Sequence, residues 1–358
     1  MQSSYSIAVL PGDGIGTEVM EAALTVLHAA GRRCGRRFDT VSHAAGAKHF
    51  ADTGVALPDA TLDACRAADA ILFGAMGLPN VRGADGTEVI PQLDIRFALD
   101  LYAGVRPVRT WPGLPVPLAD PRATQIDLVL VRESTEGLFY ARGRGEVRAD
   151  EAMDTMKITR IGTARITDFA LRLAQQRKAR GRPGHLTNVD KANVFRSMAF
   201  WRQIVHERAA AFPDIALDDA YVDAMALNLV TKPWQYDVLV TENMFGDILS
   251  DLIASLVGGM GMAPSADIGD RWALFQPAHG TAPDIAGRGI ANPTAMVLSA
   301  AMMLEWLAHR HADAALADAA LAIEDAVRQC FAQGAVRPFE FGGRSGTADI
   351  AAAVEARL

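Results

Sequence analysis

Cysteine is scarce in this 358-residue chain: Cys34, Cys65 and Cys330 lie far apart and make no Cys-x-x-Cys pair. Neither a disulfide framework nor a cysteine zinc site is expected, and a reducing cytosol is the natural compartment. Blocks of basic residues are also missing. Only short clusters occur, such as Arg36–Arg37 and "RKARGR" (177–182), and the net charge is −7. Nucleic acid and membrane surfaces are therefore not expected partners. An anionic ligand has to be caught by a local basic site acting against the field of the whole chain. No long uninterrupted apolar run is present. The most membrane-like stretch, "ANPTAMVLSAAMMLEWLAH" (291–309), contains Asn292, Pro293 and Glu305. It reads as a buried helix with Asn292 as N-cap and Pro293 at the first helical position. The opening "MQSSYSIAVLPGDG" lacks a basic n-region and its apolar run is only strand-sized, so it does not read as a signal peptide.

What is present is a globular composition, half apolar and moderately charged, in a chain too long for one ordinary core. Two domains are expected. Short apolar runs alternate with helical patterns: "SIAVL" (6–10), "DAILFGA" (69–75), "IDLVLVRE" (126–133), "HLTNV" (185–189) and "YDVLVTE" (236–242) read as strands. This alternation predicts an α/β architecture with mainly parallel strands, whose carboxyl ends carry the ligand loops. Asp13, Arg132, Asp190, Lys191, Glu242 and Asp247 fall at such ends. The proline-rich segment 106–121 reads as a crossing between domains, and the glycine-rich 256–270 as the return. One domain is then built from both chain ends. Segment 139–160 is polar and glycine-punctuated, and reads as a protruding β arm or a mobile loop.

Two motifs carry possible chemistry. "PGDGIG" (11–16) follows a strand and opens a helix, a context that suits a phosphate or nucleotide. It misses the third glycine of the usual dinucleotide fingerprint, so a tight turn and a cofactor contact both stay open. "TENMFGDILSDL" (241–252) sets Asp247 and Asp251 four residues apart on one helix face, where like charges repel. Helix-dipole electrostatics suits Asp247 but suits Asp251 poorly, a turn further in. A divalent cation between them is the other reading.

Taken in order, "PGDGIGTEV", "LDIRFALDLYAGVRP", "VRESTEGL", "VDKANVFR", "YVDAMALNLV", "TENMFGDILSDL", "MAPSAD", "HGTAPDIAGRGIANPTAMVLSAAMML" and "FGGRSGTADIAAAV" resemble the β-decarboxylating dehydrogenase family. That family includes isocitrate, isopropylmalate, homoisocitrate, tartrate and D-malate dehydrogenases. The resemblance implies an isopropylmalate-dehydrogenase-like α/β fold outside the Rossmann geometry: two αβα domains with mainly parallel sheets and a β arm. It places a cofactor domain at 1–101 plus 258–358, and a substrate, metal and dimerisation domain at 102–257 with the arm at about 139–160.

The resemblance also assigns residues. Arg96, Arg106 and Arg132 fall where the family grips substrate carboxylates, work that suits a planar guanidinium. Asp223, Asp247 and Asp251 fall on its Mg²⁺ or Mn²⁺ ligands, hard oxygens for a hard cation. Lys191 falls on the catalytic lysine. In related enzymes Lys191 and Asp223 reach into the partner's site, which implies a homodimer with shared active sites. "HGTAPDIAG…IANP" falls on the adenosine loop. There Asp284 suits a ribose diol and repels a 2′-phosphate, which predicts NAD⁺, with His279, Gly280, Asn292 and the loop Gly12, Asp13, Gly14, Ile15 and Gly16 as companions. The implied reaction is oxidation of a (2R)-hydroxy diacid followed by loss of CO₂.

The sequence departs from the pattern at one place. The family supplies a tyrosine acid seven residues after the arginine of "RE"; here that position is Phe139, and Tyr140 comes one later. In an extended segment such a shift reverses the side chain. Tyr140 is the candidate acid if the backbone bulges; otherwise the site lacks that phenol. Substrate choice falls to Val89, Ile90, Gln92 and Leu93, a mixed wall: Leu93 favours an alkyl group and Gln92 a hydroxyl. Isopropylmalate-like and malate- or tartrate-like substrates both stay open. The alternative to an active enzyme is a catalytically impaired or regulatory subunit of a dehydrogenase assembly, for which Phe139 is the supporting feature.

Overall fold

A computed structural model of the chain describes residues 2–84 and 86–358. The strands in chain order are β1 (Ser4–Gly12), β2 (Arg37–Ser42), β3 (Ala70–Ala75), β4 (Ala103–Arg109), β5 (Asp127–Glu133), β6 (Glu146–Val147), β7 (Ala152–Met153), β8 (His185–Asp190), β9 (Ala216–Tyr221), β10 (Val238–Thr241), β11 (Pro264–Ile268) and β12 (Ala273–Pro277). The helices are α1 (Gly16–Cys34), α2 (Ala47–Thr53), α3 (Asp59–Ala67), α4 (Pro91–Ala98), α5 (Arg160–Ala179), α6 (Arg196–Ala209), α7 (Val222–Thr231), α8 (Asn243–Ser255), α9 (Thr294–His311), α10 (Ala314–Ala332) and α11 (Thr347–Glu355). Parallel pairs dominate, so the chain is a mixed α/β protein with a mainly parallel sheet and helices around it.

Two compact units emerge from the contacts. The first is Met1–Leu99, Trp111–Pro115 and Gly258–Leu358. Its strands run β2-β1-β3-β12-β11, parallel except for the antiparallel β11–β12 pair. β3 is buried at all six residues, which is why it reads as a continuous apolar run. Helix α9 packs on β11 and β12 and against α1 and α10. It starts at Thr294, one residue later than expected, with Pro293 just outside. Helix α1 ends on Gly35, whose left-handed φ of 67° lets its N–H bond the Gly31 carbonyl. Trp111–Pro115 is a short return of the chain to this unit. Trp111 packs edge-on to Phe331 at 6.3 Å, and a Cβ on Gly113 would sit 2.1 Å from the Phe331 carbonyl oxygen.

The second unit is Asp100–Thr110 and Val116–Val257. Its strands run β4-β5-β10-β8-β9, with only β4–β5 antiparallel. Leu128, Leu130, Val189, Leu239, Leu249 and Ile253 form the centre of its core. Within the span read as an arm, β6 and β7 pair as an antiparallel hairpin with Val147 exposed. Among the described residues no helix is long and apolar enough to cross a membrane.

Candidate active site

In the first unit the glycine loop is a backbone-on-backbone joint. Gly12 and Gly14 have φ of 80° and 56°. A Cβ on Gly12 would lie 2.1 Å from the Ala75 oxygen, and one on Gly14 would lie 2.1 Å from the Thr281 oxygen. Ile15 N–H donates to that same Thr281 oxygen at 2.9 Å, and Thr281 Oγ1 donates to the Gly77 oxygen at 2.7 Å. The loop is thereby laced to the segment that begins at His279. Asp13 is buried, and its carboxylate accepts the N–H groups of Ala47, Lys48 and Gly77 at 2.7, 2.9 and 3.0 Å. It anchors the start of α2, so its side chain serves the scaffold.

His279 bonds the Gly280 carbonyl through Nδ1 at 2.9 Å, while Nε2 is buried without a partner among the described residues. Burial pushes its pKa down, which favours the neutral ring. Space is open around the position a Cβ on Gly280 would take, and Asp284 is exposed. An orphaned imidazole nitrogen, open backbone and a free-standing acid fit a sugar or base with hydroxyl and amine groups. Asn292 differs: Oδ1 accepts the Thr294 N–H and hydroxyl at 3.1 and 2.7 Å, and Nδ2 donates to Glu340 at 2.6 Å. Its side chain thereby holds Thr294, the first residue of α9, in place.

Helix α4 carries Gln92 and Arg96 one turn apart, on one face. Arg96 is 4% exposed; its Nη2 bonds Asp267 at 3.1 Å, but Nε and Nη1 have no partner among the described residues. Gln92 Oε1 is likewise buried and unpartnered. Val89 and Leu93 are buried close by in sequence.

The second unit holds the other arginines. On the antiparallel pair, Arg106 lies opposite Leu130 and Arg132 opposite Gly104, so the two arginines are diagonal neighbours on one face. Both are buried. Arg132 runs along the start of α8: Nε and Nη2 donate to Asn243 Oδ1 at 2.9 and 2.6 Å, and Nη1 contacts Asp247. Gly246 is what permits this, since a Cβ there would meet Arg132 Cγ at 2.7 Å. Glu242 settles one question left by the sequence. Its buried carboxylate accepts the N–H groups of Phe245 and Met244, so it is the acid that caps α8. Asp247 and Asp251 are left for another role. Burial first, then the charge of Asp247, pushes the Asp251 carboxyl up, while Arg132 and Arg106 pull it down. An acid on one helix face with a second acid one turn away is a fit for a divalent cation.

Asp223 does not join them within one chain. Among the described residues no group of three His, Cys, Asp or Glu side chains has metal-site spacing. Asp223 instead accepts a 2.6 Å hydrogen bond from Lys191 Nζ, which lowers its pKa. Lys191 follows β8, and the fully buried Asp190 beside it accepts the Ala192 N–H and a two-pronged bond from Arg202.

The structure does not bring Tyr140 to the arginine. Residues Leu138–Ala141 form a 3₁₀ turn, not the extended segment expected. At three residues per turn, neighbours point about 120° apart. The Phe139 ring lies 4.9 Å from the Arg132 guanidinium carbon, while Tyr140 sits between Arg144 and Lys157 at 4.1 and 4.5 Å.

Several supporting residues escaped the sequence reading. Asn243 fixes Arg132, Arg202 fixes Asp190, and Glu133 folds the turn after β5 by accepting the N–H groups of Thr135 and Glu136. Asn243 and Glu133 share one signal, a polar side chain at a buried helix start or strand end; Arg202, in the middle of α6, does not carry it.

A family model described as isocitrate/isopropylmalate dehydrogenase matches residues 6–354. The chain is 45% identical over 310 residues to the 3-isopropylmalate dehydrogenase of Aquifex aeolicus, covering 84% of each chain. It is 41% identical to the 3-isopropylmalate/3-methylmalate dehydrogenase of Methanocaldococcus jannaschii, covering 99% of each. Among solved structures, isocitrate dehydrogenase from Methylococcus capsulatus superposes with a TM-score of 0.86 at 39% identity, covering 99% of each chain. On that breadth of match, in sequence and in fold, the chain belongs to the isocitrate/isopropylmalate dehydrogenase family.

Proposed function

We propose that the protein is an NAD- and divalent-metal-dependent dehydrogenase that oxidises a (2R)-2-hydroxy acid bearing a carboxylate on C3 and releases CO₂. The observation that carries this reading is Arg96. Its guanidinium is desolvated, bonded to the Asp267 carboxylate, and has two nitrogens unpaired among the described residues. A buried donor without a partner costs about 1–3 kcal/mol, and more when charged. A ligand carboxylate matches that planar edge in shape and charge. Arg106 and Arg132 supply the same chemistry for the remaining carboxylate oxygens. Asp284 accepts hydrogen bonds from a ribose diol, which selects NAD⁺ over NADP⁺, and the His279–Gly280 segment and the Gly12–Gly16 loop lie along the same cofactor.

NAD⁺, when bound, is the hydride acceptor. Asp247 and Asp251 with Asp223 would hold Mg²⁺ or Mn²⁺, which when bound polarises the substrate oxygens and offsets the negative charge that grows as CO₂ departs. Lys191 takes the proton of the C2 hydroxyl. Within one chain Lys191 and Asp223 pair with each other; the resemblance to the family implies a homodimer as the working unit, in which these two residues serve the other protomer. Exposed Leu227 and Val230 on α7 and Ile248 on α8 support such an interface.

Gln92 bears on the substrate. A C3 hydroxyl can donate to its buried oxygen, and neither an isopropyl group nor the CH₂ of malate has anything to donate, so on this ground a tartrate-like acid is favoured. Buried Val89 and Leu93, and the names of the relatives, favour the isopropylmalate-like reading. Phe139 brings no proton to C3, which is what an impaired or regulatory subunit would carry.

The test is a panel of D-malate, tartrates, 3-isopropylmalate, isocitrate and homoisocitrate with Mn²⁺ and either cofactor. NADH and CO₂ are measured separately, with Arg96→Met alongside. NADH formation that needs Arg96 and metal supports the reading. Silence on every acid, or full turnover in excess chelator, overturns it, and so does a kcat/KM favouring NADP⁺ for the cofactor assignment.

A further inference from the structure

Loop 279–292 carries the proposed cofactor residues, yet it has no regular secondary structure of its own. Its shape must come from outside it. Thr281 is fixed at one end, through the Ile15 N–H and the Gly77 carbonyl. At the other end Thr347 donates its N–H to the Gly289 oxygen at 2.9 Å and its hydroxyl to the Ala291 oxygen at 2.6 Å. Between these pins lies Asp284, on a stretch whose backbone is unusual. Ala282, Gly287 and Gly289 have positive φ, at 36°, 74° and 65°. Left-handed residues in a row of turns orient N–H groups outward, and those groups need acceptors.

One side chain supplies them. Glu18, in the first turn of α1, accepts the Gly287 N–H on Oε1 at 2.8 Å and the Gly289 N–H on Oε2 at 3.1 Å. Both oxygens of one carboxylate thus hold two left-handed glycines about 270 residues further along the chain. The helix that bears Glu18 opens directly from the Gly12–Gly16 loop, so this carboxylate ties the two cofactor segments together.

We propose that Glu18 is a positioning residue that fixes the Asp284 segment in the shape that receives the adenosine ribose. This rests on the reading of 279–292 as the NAD loop. Removing the carboxylate leaves two backbone donors without a partner and frees the span from 282 to 288. Charge-assisted bonds to backbone N–H groups are about twice as strong as neutral ones, so the loss is felt at the loop before it is felt by the fold. A carboxamide keeps one acceptor but turns a donor toward the other N–H, so Glu18→Gln is an intermediate case.

The experiment compares Glu18→Ala, Glu18→Gln, Asp284→Ala and, as a control one turn along the same helix, Glu21→Ala. Amide hydrogen exchange is read on the protein without cofactor, and NADH affinity is read by fluorescence titration. Faster exchange across 282–291 in Glu18→Ala, absent in Glu21→Ala, is expected. With it comes an NADH Kd raised about tenfold or more, a smaller rise in Glu18→Gln, and a kcat at saturating NAD⁺ within about threefold of wild type. Unchanged exchange and Kd in Glu18→Ala overturn the proposal. If Asp284→Ala weakens NADH while Glu18→Ala and Glu18→Gln do not, Glu18 alone is misassigned. If Asp284→Ala changes nothing either, the cofactor loop itself is misread.

Discussion

Glu133→Gln is the perturbation whose consequence follows most directly from the coordinates. Glu133 ends β5 and is 1% exposed. Its carboxylate accepts the Thr135 N–H at 3.0 Å, the Thr135 hydroxyl at 2.7 Å and the Glu136 N–H at 2.6 Å. Those donors favour the ionised form, but burial outweighs them and pushes the carboxyl from its ordinary 4.5 up to about 7. The folded protein therefore holds a proton that the unfolded chain releases from about pH 4.5 upward. The stability this contributes is fully present below 4.5 and is lost as pH rises through 7. At about 1.4 kcal/mol per unit, the shift amounts to about 3 kcal/mol. Glutamine is neutral throughout and removes that slope. At about 2 °C per kcal/mol for units of this size, the gap between wild-type and variant Tm should move by about 6 °C between pH 5 and pH 8, in the variant's favour at the higher pH. Calorimetry on both proteins at the two pH values reads it. A gap that stays constant would mean that Glu133 is ionised throughout and that its backbone donors, not its burial, decide its charge.

Two further substitutions bear on the chemistry. Tyr140→Phe should leave NADH and CO₂ formation within about twofold, because Tyr140 faces Arg144 and Lys157. Phe139→Tyr, which puts a phenol beside Arg132, should raise the turnover rate by tenfold or more, within the usual reach of a placed acid; a hundredfold loss in Tyr140→Phe reverses the assignment. Gln92→Leu should lower kcat/KM for a tartrate and raise it for 3-isopropylmalate, by about tenfold each on the cost of one unpaired polar group, and equal effects on both acids would remove Gln92 from substrate choice.

The parts of this fold legible in the sequence are those buried on both faces. β3 and β5 are continuous apolar runs because helices cover the sheet. The edge strands β2 and β9 were not read, since "RFDTVS" and "ALDDAY" expose most of their side chains and carry polar residues there. β4 ends inside the proline-rich segment 106–121, and that proline content reads as an interdomain crossing, not as a strand. Site residues divide in the same way. Arg96 and Arg132 are buried, and Lys191 donates to Asp223. Asp13 sits in the glycine loop as expected, yet its carboxylate is taken up by three backbone N–H groups that a one-dimensional pattern does not display. The Phe139–Tyr140 question turned on one local fact, a 3₁₀ turn in place of a strand, and neither side chain alone could announce it.

Acids engaged by backbone donors bear on the proposal that a chain of net charge −7 takes an anionic substrate. Asp13, Glu18, Glu133, Glu136, Asp190 and Glu242 all lie near strand ends or helix starts, where an anionic substrate and cofactor would be handled. Each accepts at least one backbone N–H, and most accept two or more. Such donors surround the carboxylate with positive dipole ends and blunt its field locally. The acids then shape the loops, and the guanidinium groups of Arg96, Arg106 and Arg132 stay buried. On this account the overall negative charge and the affinity for a diacid do not conflict. Replacing any of the six acids by its amide would disturb a loop more than it would strengthen anion binding.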